Sequence, residues 1–163
     1  MRNQIWACAL NGILFGLIKL FYEIVPAPMA ELLYCTFLGF TVTYAVGAEW
    51  KKAGHYVCSL AVGLIWVAGY VGLEMVFWQF PLQAAISRAV SFGVVSFVIE
   101  GANLFFLPKT KGAVVPLQFA VVIGVFSQKC RHIPYVLTAL FIGVAAALIS
   151  KQIYKYFLPV KKK

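Results

Sequence analysis

The chain has 163 residues, of which 63% are hydrophobic and 12% charged, a formal net charge of +9 and a mean hydropathy of +0.89. A soluble domain is roughly half apolar and a quarter charged, and a fold this small could not hide the excess from water. That excludes a disordered tail, a secreted disulfide scaffold and a water-soluble enzyme, and makes the bilayer the expected solvent.

In chain order, a window sized for the ~30 Å hydrocarbon core marks six apolar stretches. They cover residues 5–25, 29–48, 54–80, 84–107, 112–128 and 133–157. The runs are too long and too continuous for the strands of a lipid-spanning barrel, which alternate over about ten residues. Turn chemistry fills the breaks: Pro26 and Pro28, residues 49–52, Pro81, residues 108–111 and residues 129–132. The expected fold is an all-α integral membrane protein of six transmembrane helices. It forms a single transmembrane domain over residues 1–163, ending in a basic cytoplasmic tail at 158–163. Arg2 ahead of an apolar run imitates a signal peptide, but nothing apolar of sufficient length precedes Cys8 and bulky Trp6 stands where a small residue belongs, so the first helix is expected to be retained.

Basic residues set the expected orientation. With the N-terminus inside, the inner side collects Arg2, Lys51, Lys52, Lys109, Lys111, Lys151, Lys155 and Lys161 to Lys163, ten of the fourteen cations. Lys129 and Arg131 fall outside, with Lys19 and Arg88 near outer helix ends. Both termini are therefore expected in the cytoplasm. The same distribution argues against nucleic acid as the reason for the positive charge, because the cations mark the ends of apolar runs. All five acidic residues are Glu. The acidic cages that hold Mg²⁺ or Ca²⁺ are missing, and no metal or other cofactor is expected. Cys8, Cys35, Cys58 and Cys130 lack CxxC spacing and are expected to be buried, inert thiols. His55 and His132 fall at opposite sides of the membrane, and Trp66 is the one tryptophan expected in mid-span.

Comparison of the two halves brings out an internal repeat. Phe15-Gly16 followed by Glu23 recurs as Phe92-Gly93 followed by Glu100, at an offset of 77. Further along the offset becomes 80, with Leu60 over Leu140 and Gly63 over Gly143. The halves are about 5–80 and 84–157. Three spans per repeat is an odd number, so the second copy enters from the opposite side, which predicts two inverted three-helix repeats.

The first helix of each repeat carries a slanted stripe at four-residue steps. In the first it is Asn11, Phe15, Lys19 and Glu23; in the second it is Arg88, Phe92, Ser96 and Glu100, continued by Asn103. Ionisable groups at depth cost ~2.5 to 3.5 kcal/mol on insertion scales and are functional candidates by default. The plainer alternative is that Lys19 and Glu23 pair at i, i+4 near the interface. Gly12 and Gly16 form a GxxxG packing motif, and Gly16 and Gly93 could also let the backbone approach a solute.

Gly12 to Gly16 in the first helix, Phe37 to Phe40 in the second, Gly63 to Trp66 in the third and the stretch from Val115-Pro116 to Gly124 in the fifth give the chain a resemblance to the YcdZ-like family of small, uncharacterised bacterial inner-membrane proteins. The resemblance spans nearly the whole chain and departs from the family where Lys19 and Glu23 enter the first helix. It implies a bacterial inner-membrane, multi-pass protein and carries no activity.

The expected function is a channel or facilitator for a small polar solute, following a route between the inverted repeats. The pathway set is Asn11, Phe15, Gly16, Lys19, Glu23, Arg88, Phe92, Gly93, Ser96, Glu100 and Asn103. A proton-coupled transporter and a non-transporting scaffold or accessory subunit are the alternatives. No enzyme is expected, because no Ser and His, paired acid or metal set appears at useful spacing. Membrane lipids, the solute and a second copy of the chain are the expected partners.

Overall fold

A computed structural model of the chain describes residues 2–77, 84–107, 110, 112 and 114–158. Among the described residues there is no strand. The helices are α1 (Arg2–Ile24), α2 (Ala27–Ala30), α3 (Leu33–Ala45), α4 (Ala53–Phe77), α5 (Ala84–Phe105), α6 (Val115–Ser127) and α7 (Ile133–Phe157), with one 3₁₀ turn over Trp50–Lys52. Among the described residues three helices are long and apolar enough to cross a membrane: Asn3–Ile24, Trp50–Val76 and Ile133–Phe157. The second and fifth expected spans are shorter. α3 and α6 have 13 residues each, roughly 20 Å at 1.5 Å per residue against a ~30 Å core.

Local chemistry explains these limits. Pro26 stands at the N-cap of α2, and proline occupies the first turn of α2, α6 and α7, where its missing N–H costs no helical hydrogen bond. α3 stops where Gly47 and Ala48 take positive φ. The turn ahead of α7 puts Lys129, Cys130 and His132 in the left-handed region, a conformation that costs a non-glycine residue ~1 to 2 kcal/mol.

The chain divides into two compact units, one of Met1–Ala53 with Cys130–Lys163 and one of Gly54–Lys129. In the first unit α1 runs antiparallel to α3. Tyr22 Oη meets Thr36 Oγ1 at 2.5 Å, while Phe15 packs against Phe37 and Phe40 further along. Thr36 Oγ1 donates to the Ala139 carbonyl at 2.9 Å, so Tyr22 is the donor in the first contact. α7 runs parallel to α3, since Thr36 meets Ala139 at one end and the Lys151 ammonium lies 5.3 Å from the Tyr44 ring centre at the other.

In the second unit α4 runs parallel to α6. The Val114 N–H donates to Ser59 Oγ at 3.1 Å, Trp66 Nε1 donates to Gln118 Oε1 at 2.7 Å, and the Tyr70 and Phe126 rings lie 4.4 Å apart. α5 runs antiparallel to α6, its Asn103 end against Gln118. Val95, Ile99 and Tyr70 form a small core with Phe119 and Phe126 packed on it.

The two units are therefore built alike. A long helix of 23 or 22 residues, a short one of 13 and a long one of 25 recur in each. Buried positions recur too. Ile18 and Tyr22 of α1 match Val95 and Ile99 of α5 at an offset of 77, and Tyr56, Leu60, Val67 and Tyr70 of α4 match Val136, Leu140, Ala147 and Ser150 of α7 at 80. The compact bodies nevertheless cut across the halves expected at 5–80 and 84–157. Each unit joins the first long helix and the short helix of one half to the last long helix of the other.

Candidate functional site

α1 and α5 place the stripe residues, and burial separates them into two groups. Asn11 is buried and its amide donates to the Ala7 carbonyl at 3.0 Å, a bond within its own helix. Phe15 is half-buried among the rings of α3. Lys19 and Glu23 form the i, i+4 ion pair that their spacing allows, with both side chains about 60% exposed (61% and 60%). The buried face of α1 runs one step aside, through Ala7, Asn11, Ile18 and Tyr22. The four-residue stripe is therefore not a single environment. It starts in the core and drifts out of it, as a 40° advance per step dictates.

On α5, Phe92 is exposed along one edge with its ring 6.2 Å from Tyr70, Ser96 is half-buried and Glu100 is exposed. Among the described residues Glu100 has no ion-pair partner. The Arg88 side chain lies outside the described residues, as do Lys109 and Lys161 to Lys163. Gly16 and Gly93 meet nothing within 4 Å of an added Cβ, and Gly12 is equally open. The structure thus leaves Gly16 and Gly93 uncovered by their own units, while the phenylalanine beside each touches a ring of its own unit.

Asn103 belongs elsewhere. It exchanges two hydrogen bonds with Gln118, donating to Oε1 and accepting from Nε2, each at 2.9 Å, and donates to the Ile99 carbonyl at 2.8 Å. Gln118 is fully buried. Its Oε1 also accepts from Trp66, and its Nε2 also donates to the Gly112 carbonyl at 2.6 Å. Both hydrogens and both lone pairs of this amide are spent. The cluster ties three helices and the loop before α6 into one body and has no capacity left for a ligand.

Sequence reasoning missed Gln118, whose signal was a lone amide in a continuous apolar run. It also missed the Tyr22–Thr36 pair. Trp66 was singled out only as a tryptophan in mid-span, and its indole N–H accounts for that position. The expectation of buried thiols needs correction: Cys35 is buried, but Cys8, Cys58 and Cys130 are exposed, the first two on faces of α1 and α4 that their own units leave open and the third in the turn ahead of α7. Among the described residues no group of His, Cys, Asp or Glu is placed to hold a metal.

No protein family matches the chain, and no curated protein or solved structure matches it.

Proposed function

We propose that the chain is a multi-pass protein of the bacterial inner membrane that lets a small polar solute cross, built as two inverted copies of one helical unit. One observation carries this reading: Gly16, Lys19 and Glu23 on α1, and Gly93 and Glu100 on α5, are charged or small positions that the cores of their units do not use, each set beside a phenylalanine, Phe15 or Phe92, at the same place in its helix. Exposed charge on an apolar helix must face water or protein rather than lipid. Asn103 leaves the pathway set, since hydrogen bonds within its own unit engage it, whereas Asn11 is buried with its Oδ1 unpartnered among the described residues.

Flux of small neutral and anionic compounds into proteoliposomes tests the proposal. Saturable flux that needs a proton gradient would convert the facilitator into a coupled transporter. Absence of flux, with self-association through the open Gly12 and Gly16 face of α1, would make the chain a scaffold. Glu23→Gln and Glu100→Gln keep shape and hydrogen bonding while removing charge, and each is expected to change the rate or pH dependence of flux with normal protein abundance. Wild-type flux in both variants would rule out a paired-gate route. If Glu23 serves only Lys19, Glu23→Gln instead lowers stability slightly, and adding Lys19→Met restores it.

Orientation has its own test. A membrane-impermeant thiol reagent applied from outside is expected to label a cysteine at Arg131 and to miss one at Lys51, in a background without the native thiols. The reverse pattern would invert the topology.

A further inference from the structure

Within the first unit the C-terminal ends of α3 and α7 lie together, because the two helices run parallel and Lys151 reaches Tyr44. An open groove of about 290 Å³ lies here, lined by Trp50, Ile149, Gln152, Ile153, Tyr156 and Phe157. Positions 149, 152, 153, 156 and 157 follow one another at helical spacing, so α7 presents them as a single face. Gln152 is the one lining residue without an aromatic or aliphatic side chain. Trp50 and Tyr156 are largely exposed, and such amphipathic rings at the end of a spanning helix settle at the headgroup level.

Charge around the groove has one sign in excess. Lys51 and Lys52 follow Trp50 directly, and Lys151 and Lys155 sit on the same end of α7. Against these stands Glu49, which accepts from Lys52 at 3.2 Å. In the sequence Lys161 to Lys163 follow Phe157 within six residues. An apolar slot bordered by amphipathic rings and an excess of lysine matches an amphiphile with an anionic head. It does not match a soluble anion, for which the apolar lining offers nothing, nor a neutral lipid, which would leave the lysines unused.

We propose that this groove binds an anionic phospholipid, with an acyl chain against Ile149, Ile153 and Phe157 and the phosphate end within reach of Lys51 and Lys52. This site is independent of the solute route, and flux and lipid binding can fail separately.

Fluorescence quenching by acyl-brominated lipids tests it on the full chain in nonionic detergent. The part of the emission lost in Trp50→Phe reports the groove. Brominated phosphatidylglycerol is expected to half-quench that part at a mole fraction about fivefold lower than brominated phosphatidylcholine, about the effect of one lysine at an anionic surface. Lys51→Gln with Lys52→Gln should abolish the preference and leave quenching by phosphatidylcholine unchanged. Native mass spectrometry of the unsubstituted chain, retaining phosphatidylglycerol over phosphatidylcholine, gives the same answer without a variant. Equal quenching by both lipids, no quenching of the Trp50 component, or protection of Trp50 that rises with protein concentration in the absence of lipid would each overturn the proposal. The last result would assign the groove to a second copy of the chain.

Discussion

Gly143→Ala is expected to be among the most damaging single-atom additions in the chain, while Gly12→Ala and Gly16→Ala are expected to be harmless. A Cβ at Gly143 would overlap the Thr36 carbonyl and approach the Phe40 backbone nitrogen at 2.7 Å. Both are backbone atoms of α3, which cannot rotate aside, so α3 and α7 would have to separate along their whole contact. The Thr36 bond to Ala139 lies in that contact. Overpacking costs ~1 to 3 kcal/mol, and loosening the bond places the expected loss toward the upper end, about 3 kcal/mol. Gly12 and Gly16 meet open space, so alanine there gains about 1 kcal/mol of helix propensity or nothing. Unfolding of purified protein in mixed micelles, followed by circular dichroism, measures all three. A Gly143→Ala variant as stable as the parent would show that α3 and α7 do not meet as described. Gly63 gives an internal control, because its added Cβ would come within 2.7 Å of Val121 Cβ and 2.9 Å of the Gln118 carbonyl.

The match between Gly63 and Gly143 shows what the sequence could and could not reveal. Their spacing of 80 was readable without coordinates, and so was the pairing of Phe15-Gly16 with Phe92-Gly93. Helical content was equally plain from the apolar runs, because lipid-spanning backbone has few other options. That α7 packs with α1 and α3, and α4 with α5 and α6, was hidden, since matching offsets in the sequence say nothing of which segments touch. The lengths of α3 and α6 were misjudged because apolar residues continue past Ala45 and before Val115, where Gly47 and Pro116 set the helix ends through backbone geometry. At the candidate site, the i, i+4 spacing of Lys19 and Glu23 foretold their ion pair. Periodicity could not foretell that Asn103 would turn inward, because that depends on Gln118 fifteen residues away in another helix.

Loss of the Gln118 amide is the second large effect. Gln118→Leu keeps the volume and apolar character of the run, so packing alone predicts little change, and the hydrogen-bond inventory predicts a substantial loss. Without Gln118, the Trp66 indole N–H, the Asn103 Oδ1 and the Gly112 carbonyl lose the partners they now have. Asn103 keeps only its bond to Ile99. Each stranded group costs ~1 to 3 kcal/mol in a water-free interior, whereas bonds between membrane helices average ~0.6 kcal/mol with a maximum near 1.7. Three such groups at membrane values give an expected loss of about 2 to 5 kcal/mol. Adding Asn103→Leu to Gln118→Leu removes one of the stranded partners, so the double variant is expected to recover about 1 kcal/mol rather than lose more. That non-additivity is the signature of residues sharing one network. Equilibrium unfolding of the two single variants and the double variant closes the cycle. Additive losses would mean that Asn103 and Gln118 act separately, and a Gln118→Leu variant as stable as the parent would remove the network as the tie between α4, α5 and α6.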